Sequence, residues 1–133
     1  MDFLTDTTFL IDIWRERSKP SAALRFVQQH EDAVAGLPWV VKGEFLRGAS
    51  LAGHSESAVS AFLETFIVVW PTEETLRRYA SVYTQLKKEN TMIGPNDLWI
   101  AACTLEKGLP LLTRNSDEFH RVSDIKVLDY SHL

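Results

Sequence analysis

The sequence predicts an α/β fold, a parallel sheet with helices on both faces. Short apolar or β-branched runs alternate with longer stretches whose apolar positions recur at helical spacing. Proline, glycine and helix-cap residues fall between them. No internal repeat, low-complexity stretch or linker breaks the order, so residues 1–133 read as one domain. Strands separated by helices of this length pair in parallel, because each crossover returns the chain to the same end of the sheet.

The elements follow in chain order. Residues 2 to 6 make a first strand, and Thr7 to Arg15 carries Phe9, Leu10, Ile13 and Trp14 on one helical face. Pro20 and Ser21 open a second helix that runs to about His30, and Asp32 to Gly36 is a short apolar strand. Pro38 starts a helix that holds Glu44, Phe45, Leu46 and Arg47 and ends near Ala49. His54 to Thr65 is the next helix, followed by the strand Phe66-Ile67-Val68-Val69-Trp70, which Pro71 stops. Thr72-Glu73-Glu74-Thr75 resembles a capping box and opens a helix to about Glu89. Pro95 begins a further helix and Gly108 ends it, Leu109 to Thr113 is a strand, and Lys126 to Leu128 is the last.

Composition narrows the function. With 133 residues, 45% of them hydrophobic, the chain is large enough to bury a core, which argues against disorder. It starts at Met1-Asp2 with no basic leader and has no apolar run approaching about twenty residues, so the expectation is a cytoplasmic protein with no membrane contact. Cys103 is the only cysteine; it is expected to be a buried, inert thiol, and it rules out an intramolecular disulfide or a Cys/His metal cluster. A net charge of −4 at first argues against nucleic acid, whose phosphates normally meet a basic surface. That objection loses force if four of the eighteen acids neutralise metal ions, since the other fourteen then balance fourteen Lys and Arg. Lys42, Arg47 and Arg114 flank acidic positions in sequence and are the candidate RNA-binding residues.

Four acids, Asp6, Glu44, Asp97 and Asp117, each lie at or near the end of an apolar run. Two carboxylates about 4 Å apart repel by roughly 4 kcal/mol at an effective dielectric of about 20, and a divalent cation reverses that sign. Each acid also has a reading without metal. Asp97 is the third residue of a helix opened by Pro95, where free amides favour a carboxylate. Glu44 fits an exposed helix position, and Asp6 fits an N-cap. Other chemistries lack their parts: there is no phosphate-binding G-x-x-x-x-G-K-[ST] or G-x-G-x-x-G loop, no G-x-S-x-G elbow, and no His pair at ligand spacing. A phosphatase of the haloacid-dehalogenase type wants a second Asp where this chain has Thr8.

Four segments in order carry more than any one of them: Leu4-Thr5-Asp6-Thr7-Thr8-Phe9-Leu10-Ile11, Gly43-Glu44-Phe45-Leu46-Arg47-Gly48-Ala49, Ile93-Gly94-Pro95-Asn96-Asp97-Leu98-Trp99, and Leu111-Leu112-Thr113-Arg114-Asn115-Ser116-Asp117-Glu118-Phe119. Their order and spacing resemble the PIN-domain family, and within it the VapC-type toxins of toxin–antitoxin pairs. The resemblance spans nearly the whole chain.

It implies a three-layer α/β domain with a five-stranded parallel sheet and a Mg2+-dependent endoribonuclease activity, with Mn2+ as a substitute. Asp6, Glu44 and Asp97 match the first three family acids. For the fourth, the family often has an acid where this chain has Asn115, so either Asn115 or Asp117 fills that position; Thr8 stands where the family often has Asn or Ser. Hard carboxylate ligands suit ions that also bind phosphate oxygens, which predicts hydrolysis of RNA to 5′-phosphate and 3′-hydroxyl ends. By resemblance the RNA is tRNA or ribosomal RNA, the chain is a homodimer, and its partner is a small VapB-type antitoxin. Two other readings stay open: a non-catalytic PIN-like module that binds RNA or protein, favoured by the uncharged Asn115, and a nuclease acting on DNA. The tryptophans read as packing residues rather than base-stacking platforms, with Trp14 also a candidate for a partner surface.

Overall fold

The computed structural model describes residues 1–15 and 22–132. The proposed opening of the second helix at Pro20 and Ser21 lies outside them. In chain order the elements are β1 (Phe3–Thr5), α1 (Thr7–Trp14), α2 (Ala22–Gln29), β2 (Ala35–Pro38), α3 (Trp39–Ala52), α4 (Glu56–Leu63), β3 (Ile67–Val69), α5 (Glu73–Glu89), α6 (Pro95–Lys107), β4 (Leu111–Thr113), α7 (Ser116–Phe119), β5 (Val127–Asp129) and a 3-10 turn (Tyr130–His132).

The five strands form one sheet in the order β3-β2-β1-β4-β5, with every pairing parallel. The layering follows from the two-residue period of a strand. Leu4 and Leu111 join one apolar cluster, while their neighbours Phe3 and Leu112 join a second. Both clusters are buried, so each face of the sheet is covered and the domain has three layers. The larger cluster gathers side chains of α3, α4, α5 and α6, including Val41, Phe45, Leu86 and Ile100. The smaller one packs Phe3, Phe9, Phe26 and Tyr130 in edge-to-face contacts, with ring centroids 5.2 to 6.2 Å apart.

Local chemistry sets the element ends. Thr72 and Thr75 close a reciprocal capping box on α5, each hydroxyl accepting from the other's amide, at 2.9 and 3.4 Å. Gly53 (φ 71°) and Gly108 (φ 64°) end α3 and α6 in the left-handed conformation that an L side chain resists. That cap lets α3 run to Ala52, past the expected stop near Ala49.

The second strand occupies residues 35–38 rather than 32–36, because Asp32 is exposed and the pairing with β3 extends to Pro38 opposite Val69. Pro38 ends that strand and precedes α3 instead of opening it as a helical residue. Two short elements, α7 and the 3-10 turn, have no counterpart in the sequence reading.

Candidate active site

Strands β1, β2 and β3 build outward in one direction and β4 and β5 in the other, so the order reverses between β1 and β4. In an open parallel sheet this switch leaves a crevice beyond the carboxyl ends of the strands. Asp6 and Arg114 are the first residues past those two ends.

Asp6 is 4% exposed. Its Oδ1 caps α1 by accepting from the Phe9 amide at 3.1 Å and also accepts from Thr8 Oγ1 at 2.7 Å. Its Oδ2 accepts from Thr113 Oγ1, which ties the end of β1 to the end of β4. Burial pushes the Asp6 pKa up; the Thr113 and Thr8 hydroxyls, the Phe9 amide and the Arg114 charge oppose the rise without cancelling it.

Asp97 is the third residue of α6 and is half-buried. Its carboxyl is pushed up to about 7, first by burial, then by the charge of Glu118 and a hydrogen bond shared with it, then by the charges of Glu44 and Asp6. Four carboxylates therefore lie in one electrostatic neighbourhood. Glu44, half-buried on α3, accepts from Thr7 Oγ1 at 2.8 Å. Glu118 accepts from the Gly94 amide at 3.4 Å and from Asn115 Nδ2 at 3.1 Å. Ser116 Oγ donates to Asp129 Oδ2 at 2.7 Å and pins α7 to the end of β5.

The charges of Asp6 and Glu44, two of the proposed acids, act on Asp97, and so does that of Glu118, which the sequence reading did not single out. Asp117 is exposed on α7 and is not among the charges acting on Asp97. A signal for Glu118 was present: Asn115 followed three residues later by Glu is the spacing of a helix start, which puts residue 118 at the third helical position, as Asp97 is on α6. Thr8 supports Asp6 and Asn115 supports Glu118. Arg114 pairs with Asp12 at 3.3 Å, and its charge acts on Asp6. Lys42 is half-buried and Arg47 exposed on α3, and among the described residues neither forms an ion pair with a carboxylate.

The donors fit a hard divalent cation in kind and in charge: all four are carboxylate oxygens, and two resist ionisation in the folded chain. Among the described residues no three acid, His or Cys side chains stand close enough together to chelate an ion as they are. The cluster shares a field without forming a ready-made chelate.

A three-layer parallel α/β domain with carboxylates grouped at its strand switch is the class that fold and site define. The PIN-domain family model matches residues 3–125. The chain is 32% identical over 128 residues to Ribonuclease VapC1 of Methanocaldococcus jannaschii, covering 95% of this chain and 86% of that protein. It is 29% identical over 134 residues to Ribonuclease VapC1 of Haemophilus influenzae, covering 98% and 99%. The solved VapBC-1 structure from nontypeable Haemophilus influenzae superposes with a TM-score of 0.83 at 29% identity, covering 98% of this chain and 99% of that one. The chain belongs to the PIN-domain family and, within it, to the VapC group.

Proposed function

We propose that the chain is the toxin of a VapBC-type pair, an endoribonuclease that needs Mg2+ or Mn2+ and hydrolyses RNA phosphodiesters to 5′-phosphate and 3′-hydroxyl ends. The observation that carries this reading is the carboxylate cluster itself, in which burial first, and then the charges of Glu118, Glu44 and Asp6, lift Asp97 to about 7. Four acids gathered at the strand switch repel one another, and a cation would account for their gathering. The names of the relatives support the ribonuclease activity, and the VapBC-1 structure supports a VapB-type antitoxin as partner.

In this reading Asp6, Glu44, Asp97 and Glu118 hold the cation, with Glu118 in the place first given to Asp117. When bound, the ion supplies positive charge for an attacking water and for the phosphate oxygens. The chain's own residues do the rest. The Phe9 amide and the Thr8 and Thr113 hydroxyls fix both oxygens of Asp6, so that it presents one geometry. Asn115 and the Gly94 amide orient Glu118, and Thr7 orients Glu44. Arg114 supplies charge for the RNA backbone, aided by Lys42 and Arg47. No helix among the described residues is long and apolar enough to cross a membrane. We place the protein in the cytoplasm as a homodimer acting on tRNA or ribosomal RNA.

The test is incubation of the purified, antitoxin-free chain with total cellular RNA in Mg2+, Mn2+ or EDTA, beside Asp97→Ala. Discrete metal-dependent cuts, absent from the variant, are expected. The lack, among the described residues, of three acids close enough to chelate an ion favours one second reading, a non-catalytic PIN-like module that binds RNA or protein. Failure to cut in either metal, with RNA still bound, would establish that reading instead.

A further inference from the structure

The described residues contain one cation whose charge reaches the buried carboxylate Asp6, and that is Arg114. Its side chain is half exposed, yet it is not left to solvent: Nη1 lies 3.3 Å from Asp12 Oδ2. The same oxygen accepts the Tyr130 hydroxyl at 2.7 Å. Tyr130 is 1% exposed, and its ring meets Phe9 edge-to-face at 5.2 Å, so its hydroxyl is held by the core. Thr8, four residues before Asp12 on α1, donates its hydroxyl to Asp6 at 2.7 Å. Asp12 thus joins Arg114 to the buried Tyr130 through one carboxylate oxygen. The three come from α1, the loop after β4 and the 3-10 turn after β5.

We propose that Asp12 and Tyr130 are positioning residues that aim the Arg114 guanidinium beside the carboxylate cluster, where it clamps the phosphate to be cut in single-stranded RNA. This rests on the endoribonuclease reading. The chemistry favours it in three ways. An exposed surface ion pair is weak by itself, but a carboxylate held by a buried tyrosine restricts the long Arg side chain before substrate arrives. The guanidinium has five donors, and the contact with Asp12 leaves others free to fork onto phosphate oxygens. A phosphate that approaches the carboxylate cluster brings further negative charge, and Arg114 is the group placed to meet it.

The experiment uses the full chain, Mg2+ and a fluorescein-labelled single-stranded RNA of mixed sequence, with Arg114→Gln, Asp12→Asn, Tyr130→Phe and the Asp12→Asn/Arg114→Gln double variant. Arg114→Gln should lower kcat/KM by about 10- to 100-fold, the loss of a charge-assisted hydrogen bond. It should also reduce the salt dependence of RNA binding, measured in EDTA, by about 0.7 in log–log slope, the loss of one phosphate contact on a single strand. Asp12→Asn and Tyr130→Phe leave the cation in place but unaimed, so kcat should fall about tenfold with KM and the salt slope unchanged. In the Arg114→Gln background Asp12→Asn should cost nothing further. A merely structural role for Asp12 would lower thermal stability and multiply with Arg114→Gln, and that result overturns the proposal. So does wild-type turnover in both Asp12→Asn and Tyr130→Phe. If the unmodified chain cuts no RNA in Mg2+ or Mn2+, the endoribonuclease reading falls and takes this inference with it; cutting by the unmodified chain with indifferent variants removes the inference alone.

Discussion

The Thr113 hydroxyl donates to Asp6 Oδ2 across 107 positions of sequence, and this single contact fastens the two strand ends between which the sheet order reverses. Asp6 therefore serves twice. It caps α1 through one oxygen and is held for chemistry through the other.

Thr113→Val keeps the shape of the side chain and removes that donor. Asp6 then loses the largest influence that lowers its pKa, and the buried carboxylate is left short of a partner. The variant should lose roughly 1–3 kcal/mol of stability near neutral pH. Thermal melts in EDTA check this, with Thr113→Ser as the variant that should melt close to wild type.

Stability of the metal-free chain should fall as pH rises. Asp97 has an ordinary value of 3.8 and a folded value of about 7, so the folded state holds this proton more tightly than the unfolded chain. The stability linked to it is full below 3.8 and is lost as pH climbs through about 7. Asp6, shifted in the same direction, adds to the trend. Mg2+ should therefore raise the melting temperature more at about pH 8 than at about pH 5. A larger increment at the lower pH would contradict the sign.

Glu118 and Asp117 are neighbours with opposite expectations. Glu118→Gln removes a carboxylate that acts on Asp97 and should cut RNA cleavage by about 100-fold or more in Mg2+. Asp117→Asn changes an exposed position and should stay within about threefold of wild type. Cleavage assays on folded protein decide between them.

Cys103 is fully buried on α6, and burial, helped by the charge of Glu106, pushes its thiol up to about 12. The native chain should resist iodoacetamide at about pH 8, while the urea-unfolded chain reacts. Mass spectrometry reads the difference directly.

Most of the fold was legible because long amphipathic stretches and their punctuation are local. The capping threonines of α5, Pro95 and Gly108 each mark an end that the structure keeps. The second strand was placed too early because its register is set by pairing with β3, which no local pattern reveals. Helix α7 has four residues, too few for a period, and with it went the distinction between Asp117 and Glu118. Three of the clustered acids stood out by their place beside apolar runs and by the family resemblance. The contact of Asp12 with Tyr130 spans 118 positions and carries no sequence signature at all. Trp39 and Trp99 pack against each other and Trp99 stacks on Tyr79, as packing residues should, whereas Trp70 is 63% exposed.

The central claim is that Asp6, Glu44, Asp97 and Glu118 form a divalent-cation site, and its most direct test is Mn2+ binding followed by electron paramagnetic resonance. Titration of the wild-type chain should remove the free-ion signal in a saturable way. Asp97→Asn and Glu118→Gln should each weaken that binding by about 10- to 100-fold, and Asp117→Asn should leave it unchanged. Equal Mn2+ binding by wild type, Asp97→Asn and Glu118→Gln would contradict the site.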